Sequence, residues 1–343
     1  MHAVYDPMTA LLFVLGTAFA TGVLIVLLKP LLTRYALARP NARSSHTVPT
    51  PQGGGIAIVI AVTTVIASCA VHGLPGFREM WVLSALAAML ALAVVGAIDD
   101  IRPLPIGPRL LLQIAAAAIL ILILPSTARI LPGWVPHKLE QALLVIALVW
   151  FINLTNFMDG IDWMTVAEAA PICTALAVLG MTGLVPVLGS MLPVTLALLG
   201  GLIGFAPFNR HVAKLFLGDV GSLPIGALVG WLLILLASAG HPIAALILPM
   251  YYLADATITL VWRWWHKEPF WQAHRKHFYQ VATTRGLTVP EVTARVIILN
   301  VFLALLALLT VIARLPLMQV TALLLAACAT AAVLADFRTG RKT

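Results

Sequence analysis

Charged residues make up only 10% of this 343-residue chain, and hydrophobic residues make up 61%. Soluble domains run at about a quarter charged and about 45–50% apolar, so a single apolar core inside a polar shell is excluded. Cysteine is scarcer still. Cys69, Cys173 and Cys328 each lie inside a long apolar run, which leaves neither a disulfide framework nor a thiolate metal spacing. No internal repeat stands out and no low-complexity tract interrupts the apolar runs. No cleavable leader is expected either: residues 9–28 are apolar, but they follow Asp6 rather than a basic segment and run into Lys29 and Pro30 without a small-residue cleavage site. That stretch is expected to remain as a first membrane span.

The sequence does contain spanning-length apolar runs. A crossing needs about 20 mostly apolar residues. Eleven segments qualify, near 9–29, 56–74, 80–98, 110–125, 139–156, 166–183, 185–206, 223–240, 242–262, 293–313 and 316–336. The expected fold is therefore all-α, a polytopic membrane helix bundle of about 11 spans, with 10 also compatible. It forms one domain over residues 1–343, with polar loops at 30–55, 99–109, 157–165, 207–222 and 263–292.

An odd number of spans puts the termini on opposite sides. Alternate connections then hold 17 of the 21 basic residues, among them Arg102, Arg109, Arg210 and Lys214, and the other set holds Arg78, Arg129, Lys138 and Arg314. The positive-inside rule places the N-terminus outside and the C-terminus in the cytoplasm. The net charge of +8 is thus a topology signal rather than a nucleic-acid footprint. Trp262, Trp264, Trp265 and Trp271, interleaved with Arg263, His266 and Lys267, suit a segment lying at the lipid headgroups.

Thirteen acids are few, and where they fall is informative. Asp99 and Asp100 end the third span, Asp159 and Asp162 follow the fifth, and Asp219 precedes the eighth, all on the expected cytoplasmic side. Clustered carboxylates repel one another unless a cation or a proton offsets the charge. Hard oxygen ligands near a membrane surface suit Mg²⁺ with substrate phosphates, with Mn²⁺ as a substitute. Adjacent helical residues point about 100° apart, so Asp99 and Asp100 should serve different partners, whereas Asp159 and Asp162 could share one face.

Further candidates surround these acids. Arg43, Ser44, Ser45 and His46 precede Gly53-Gly54-Gly55, where glycines allow close approach to an anionic group. Asn153, Asn156 and Asn209 offer neutral hydrogen-bonding groups for a base or a sugar, and Phe216 offers a stacking plane. Asp255, inside the ninth span, costs about 2.5–3.5 kcal/mol in hydrocarbon and needs a partner. It either lines a lipid groove or bonds a neighbouring helix, while Glu168 is expected to do the latter.

These segments resemble the polyprenyl-phosphate N-acetylhexosamine-1-phosphate transferases, which belong to glycosyltransferase family 4. The matching stretches are Pro49-Thr50-Pro51-Gln52-Gly53-Gly54-Gly55, Asp99-Asp100, Asn153 to Asp162, Phe216 to Ser222, and His274-Arg275-Lys276-His277. The resemblance implies a Mg²⁺-dependent enzyme in which undecaprenyl phosphate attacks the sugar-linked phosphate of a UDP-N-acetylhexosamine and UMP leaves. It assigns Asp219 to the metal, Asp99, Asp100 and Asp159 to catalysis, and Asn153, Asn156, Asp162, Asn209 and Phe216 to the donor. His274, Arg275 and His277, with Arg43 and His46, would face the diphosphate and the sugar.

Basic residues between two histidines resemble the branch that loads N-acetylglucosamine or a 6-deoxy sugar for O-antigen, rather than the peptidoglycan branch with its run of histidines. That implies the bacterial inner membrane, with the site facing the cytoplasm. Trp163 departs from relatives, which commonly carry glycine there. Direct attack or a covalent intermediate, and monomer or homodimer, are left open by the residues. A transporter built around Asp255 is the competing class.

Overall fold

The computed structural model describes residues 6–38, 48–73, 80–269 and 274–341. Among them the helices are α1 (Pro7–Tyr35), α2 (Gly55–Val71), α3 (Met80–Ile101), α4 (Ile106–Leu122), α5 (His137–Met158), α6 (Met164–Met181) and α7 (Pro186–Ser190). There follow α8 (Leu192–Asn209), α9 (Asp219–Ser238), α10 (Pro242–Ile247), α11 (Met250–Trp265), α12 (Phe278–Thr284), α13 (Val289–Ala313) and α14 (Pro316–Thr339). A short antiparallel ribbon pairs β1 (Leu37–Ala38) with β2 (Thr50–Pro51).

Every expected span has a helical counterpart, in the expected order. Eight helices, α1, α3, α5, α6, α8, α9, α13 and α14, are long and apolar enough to cross a membrane. The apolar helices α2 and α4 are shorter, at 17 residues each. The ninth expected span is broken into α10 and α11 around Pro249, which has no N–H to donate to the preceding turn. The break frees the N–H of Tyr252 in the first turn of α11, and it donates to Glu168 Oε1 at 3.4 Å. Asn300 of α13 donates to Glu168 Oε2 at 2.6 Å, so this buried acid ties three helices together.

Helix α9 lies at the centre. It is apolar on all sides, and 94% of its spanning window is buried. Small residues let its neighbours approach. A methyl group on Gly96 of α3 would come within 2.3 Å of the Asp219 carbonyl, and one on Gly55 of α2 within 2.1 Å of Gly221 Cα. Gly226 and Gly230 admit α5 in the same way. In a lipid solvent, where apolar burial gives helices little reason to associate, such close packing holds them together. It also brings the acid-bearing ends of α3 and α5 against the start of α9.

Gly55→Ala and Gly96→Ala should each lose about 1–3 kcal/mol through overpacking against backbone that cannot yield. Gly16→Ala, whose added methyl meets nothing within 4 Å, should lose none. Thermal unfolding of the purified variants in detergent measures the difference, and equal midpoints for all three would contradict this packing.

Candidate active site

The site is built at the start of α9. Asp100, near the end of α3, accepts from the backbone N–H groups of Asp219 at 2.9 Å and Val220 at 3.2 Å. Its carboxylate thus caps the first turn of α9 and complements the helix dipole. Gly218, at φ +75°, is required there, because a side chain would strike Asp100 Oδ2 at 2.4 Å. The glycine-rich turn also serves this junction: the N–H groups of Gly54 and Gly55 donate to the carbonyls of Phe216 and Leu217 at 2.9 and 2.8 Å. Those donors are committed to the fold rather than offered to an anion.

Asp99, one residue earlier on the helix, turns to a different partner. Its Oδ2 accepts from Arg109 Nη1 at 2.7 Å, and the same nitrogen lies 3.1 Å from Asp219 Oδ2. Arg109 Nη2 donates to Asn156 Oδ1 at 3.1 Å. Asn156 Nδ2 then donates to Asp219 Oδ1 at 2.7 Å and to Ser222 at 2.9 Å. Side chains from α3, α4, α5 and α9 therefore meet at one guanidinium. Sequence reasoning counted Arg109 only as a basic topology residue. The available signal was its position one turn into the helix that follows the aspartate pair.

Beside this cluster lies a cavity of about 490 Å³. Asp100, Asn156, Asp159, Asp162, Asn209, Phe216 and Asp219 all contribute to its wall, together with Thr50 and Gln52 of the matching 49–55 stretch and with His211 and Gln280, which the sequence had not singled out. Asp159 follows the last turn of α5 and accepts from Thr165 Oγ1 at 2.6 Å. Burial pushes its carboxyl up to about 7, against the Thr165 hydrogen bond, and the negative charges of Asp100 and Asp162 push in the same direction as burial. α5 ends before Asp159, so Asp159 and Asp162 line one cavity from a loop rather than from a shared helical face.

Two loops are stitched together across the cavity. Asp162 Oδ2 lies 2.8 Å from His211 Nδ1 and accepts from Ala213 N–H at 3.1 Å. Asn209 accepts from the Trp163 N–H at 2.7 Å and donates to the Leu215 carbonyl at 3.0 Å. Trp163 sits in the left-handed region, at φ +66°, where glycine is unstrained and a bulky residue is not. Its indole N–H donates to the Ala206 carbonyl at 2.6 Å, which helps hold it there.

Other expected residues lie elsewhere. Asn153 donates to Gln113 at 2.7 Å and to the Val149 carbonyl at 2.8 Å, between α5 and α4. His274, Arg275 and His277 are not among the described residues lining the cavity. His277 Nδ1 lies 3.1 Å from Asp255 Oδ1, and Asp255 also accepts from the N–H groups of Phe278 at 3.0 Å and Tyr279 at 3.3 Å. Asp255 is completely buried and so anchors the start of α12 rather than facing lipid.

His274 stacks on His277 at 4.8 Å. Burial, with the nearby His277 and Arg263, pushes its imidazole down to about 3. The segment reaches the cavity through Gln280, while the Tyr279 hydroxyl donates to the Phe157 carbonyl at 3.1 Å and packs on Gly160 of the cavity wall. Arg43 and His46 lie outside the described residues.

No group of three or more His, Cys, Asp or Glu side chains is arranged as a metal cage among the described residues. The donors nevertheless suit a hard cation. Oxygens of Asp99 and Asp219 already converge on one positively charged nitrogen, with the neutral Asn156 beside them.

Residues 82–237 match the model of glycosyl transferase family 4. The matched segment contains Asp99, Asp100, Arg109, Asn156, Asp159, Asp162, Asn209, Phe216 and Asp219, and stops short of 274–277. The chain is 28% identical over 254 residues to a phospho-N-acetylmuramoyl-pentapeptide-transferase of Leuconostoc citreum, covering 67% of this chain and 76% of that one. It is 25% identical over 292 residues to a probable undecaprenyl-phosphate N-acetylglucosaminyl 1-phosphate transferase of Bacillus subtilis, covering 79% and 78%. A decaprenyl-phosphate N-acetylglucosaminephosphotransferase of Mycolicibacterium smegmatis is 32% identical over 232 residues, covering 62% of this chain and 56% of that one.

The raised Asp159 carboxyl predicts a pH dependence of stability. Between its ordinary value of 3.8 and about 7, the folded protein retains a proton that the unfolded chain has released. Stability should therefore fall as pH rises through that window and level off above it. Asp159→Asn should flatten the decline, measured as apparent Tm from pH 4 to 8 without divalent ions. A variant with the same slope as the wild type would rule out this titration.

Proposed function

We propose a function from one premise, that this chain belongs to glycosyl transferase family 4. It transfers an N-acetylhexosamine 1-phosphate from a UDP-sugar to a polyprenyl phosphate, undecaprenyl phosphate in the simplest case, and releases UMP. In the reaction an oxygen of the lipid phosphate bonds to the sugar-linked phosphorus of the donor. The bond from that phosphorus to the bridging oxygen breaks, and UMP carries the electron pair away. The reaction would be the first membrane step of a cell-envelope polysaccharide, O-antigen being our reading of the His274–His277 segment. The bundle would sit in the inner membrane with its N-terminus outside and the cavity facing the cytoplasm.

The observation that carries this reading is the convergence of Asp99 and Asp219, from helices far apart in sequence, on one cationic centre beside a polar cavity. Two polyanions must approach for this transfer, and the site needs positive charge to let them. Asp219 and Asp99, with Asn156, would hold Mg²⁺, with Mn²⁺ as a substitute. The ion would supply charge neutralisation and polarise the phosphoryl oxygens.

Asp100 acts indirectly, by fixing the start of α9 and so the position of Asp219. Asp159, with a carboxyl near 7, is suited to hold or take the proton of the attacking lipid phosphate at neutral pH. Asp162, Asn209 and Phe216 shape the cavity for the nucleotide. Asp162 and Asn209 do so by locking the two loops that form its wall.

Transport through the bundle is less well supported. Two of its deeply buried acids, Glu168 and Asp255, are both held by backbone N–H and side-chain donors. Asp219→Asn should reduce UMP release about a hundred- to a thousandfold, the scale for removing a group that stabilises transition-state charge, while the protein still inserts and folds. The measurement is UMP release by purified protein with undecaprenyl phosphate, Mg²⁺ and a panel of UDP-sugars. Full activity in the variant would remove the metal assignment, and solute flux without UMP release would favour the transporter.

A further inference from the structure

A divalent ion attracted to this cluster meets a position already filled. Arg109 Nη1 lies 2.7 Å from Asp99 Oδ2 and 3.1 Å from Asp219 Oδ2, and Nη2 lies 3.1 Å from Asn156 Oδ1. The neighbouring oxygens are engaged as well. Asp99 Oδ1 accepts from the Leu104 N–H, Asp219 Oδ1 from Asn156, and the Asp100 carboxylate from two N–H groups of α9. A guanidinium stays charged at any pH the protein meets, so it cannot vacate the position by losing a proton. Sharing two oxygens with a divalent cation a few ångströms away is disfavoured, because the two positive charges repel in a site only partly open to water.

We infer that Arg109 is the resident counter-cation of the metal-free site, and that a divalent ion binds there by displacing its guanidinium from Asp99 and Asp219. This inference rests on the metal-dependent reading above. It accounts for three features together: the converging carboxylates, the lack of a ready-made metal cage among the described residues, and the arginine that fills the space. The Arg109 side chain is 22% exposed and long enough to turn toward the cavity, where a substrate phosphate offers the charge it gives up. Without the arginine, Asp99 and Asp219 would face each other with no cation between them, at a steep electrostatic cost in a largely buried position. Metal and phosphate binding should therefore assist each other, with the arginine as the link.

The test is Mn²⁺ binding to the purified full-length protein, followed by the paramagnetic resonance of free Mn²⁺. Arg109→Gln and Arg109→Ala should bind Mn²⁺ about tenfold more tightly than wild type, or better, because the competing charge is gone. Millimolar guanidinium should weaken Mn²⁺ binding to Arg109→Ala toward the wild-type value, and equal sodium chloride should not. Arg109→Lys keeps a charge but not the two-pronged fork, and should fall between. If the uncharged variants fail to fold, Arg109→Lys decides: tighter binding than wild type supports the displacement. Equal or weaker Mn²⁺ binding in the folded variants would overturn it. Asp219→Asn separates the two levels of the argument, because retained wild-type Mn²⁺ affinity in that variant removes the metal reading itself.

Discussion

Two carboxylates on different helices sharing one guanidinium set the terms for everything around them. α3 and α9 can approach as closely as they do only because Gly96 presents no side chain to the Asp219 backbone. That approach brings Asp99, Asp100 and Asp219 together, and each is accommodated by a different device. Asp100 is balanced by the N–H groups at the start of α9. Asp99 and Asp219 are balanced by Arg109. Asp159, nearby and partly buried in the cavity wall, has its carboxyl pushed toward the neutral form. A helix dipole, a side-chain cation and a proton thus divide the charge that would otherwise force the helix ends apart.

A second buried acid plays the same part for a distant segment. Asp255 on α11 accepts from the N–H groups of Phe278 and Tyr279 and holds His277, and so fixes where α12 begins. Tyr279 carries that placement to the Phe157 carbonyl and to Gly160, the residue after Asp159. The 274–280 segment therefore supports the Asp159 loop from behind, with Gln280 as its contribution to the cavity wall. Its histidines lie stacked and partly or fully buried on the side of α11.

The long apolar runs were legible because crossing a membrane leaves few choices of composition, and each expected span corresponds to helix. The break near Pro249 was not, since the run over 242–262 stays apolar through it and only the missing N–H marks it. Acids at span ends were legible because charge is so rare here that its placement stands out. Arg109 was hidden by the same logic, since a basic residue on that side already had an explanation in topology. Asn209 read as a ligand for a base because an asparagine side chain does not reveal its partner. In the fold its amide joins Trp163 to Leu215. No sequence pattern separates the histidines of 274–277 from the cavity, because what holds them is an aspartate about 20 residues earlier, through contacts set by the tertiary fold.

The division between polar groups that hold the bundle and polar groups left facing open space argues for chemistry at one end of it. Within the bundle, Glu168 is bonded to Asn300 and Tyr252, and Asp255 to the start of α12. A pathway through the membrane would require such groups to change partners during each cycle, at the cost of leaving backbone N–H groups unpaired in a buried setting. At the end of α3, α5 and α9 the situation differs. Asn156 and Asp219 there border a cavity large enough for a small ligand, and both bond an arginine side chain rather than a backbone group. An arginine can trade a carboxylate for a phosphate without loss of charge pairing, whereas a helix cap cannot be exchanged without unwinding the helix. The part of this structure able to rearrange cheaply is therefore the part where anionic substrates would enter.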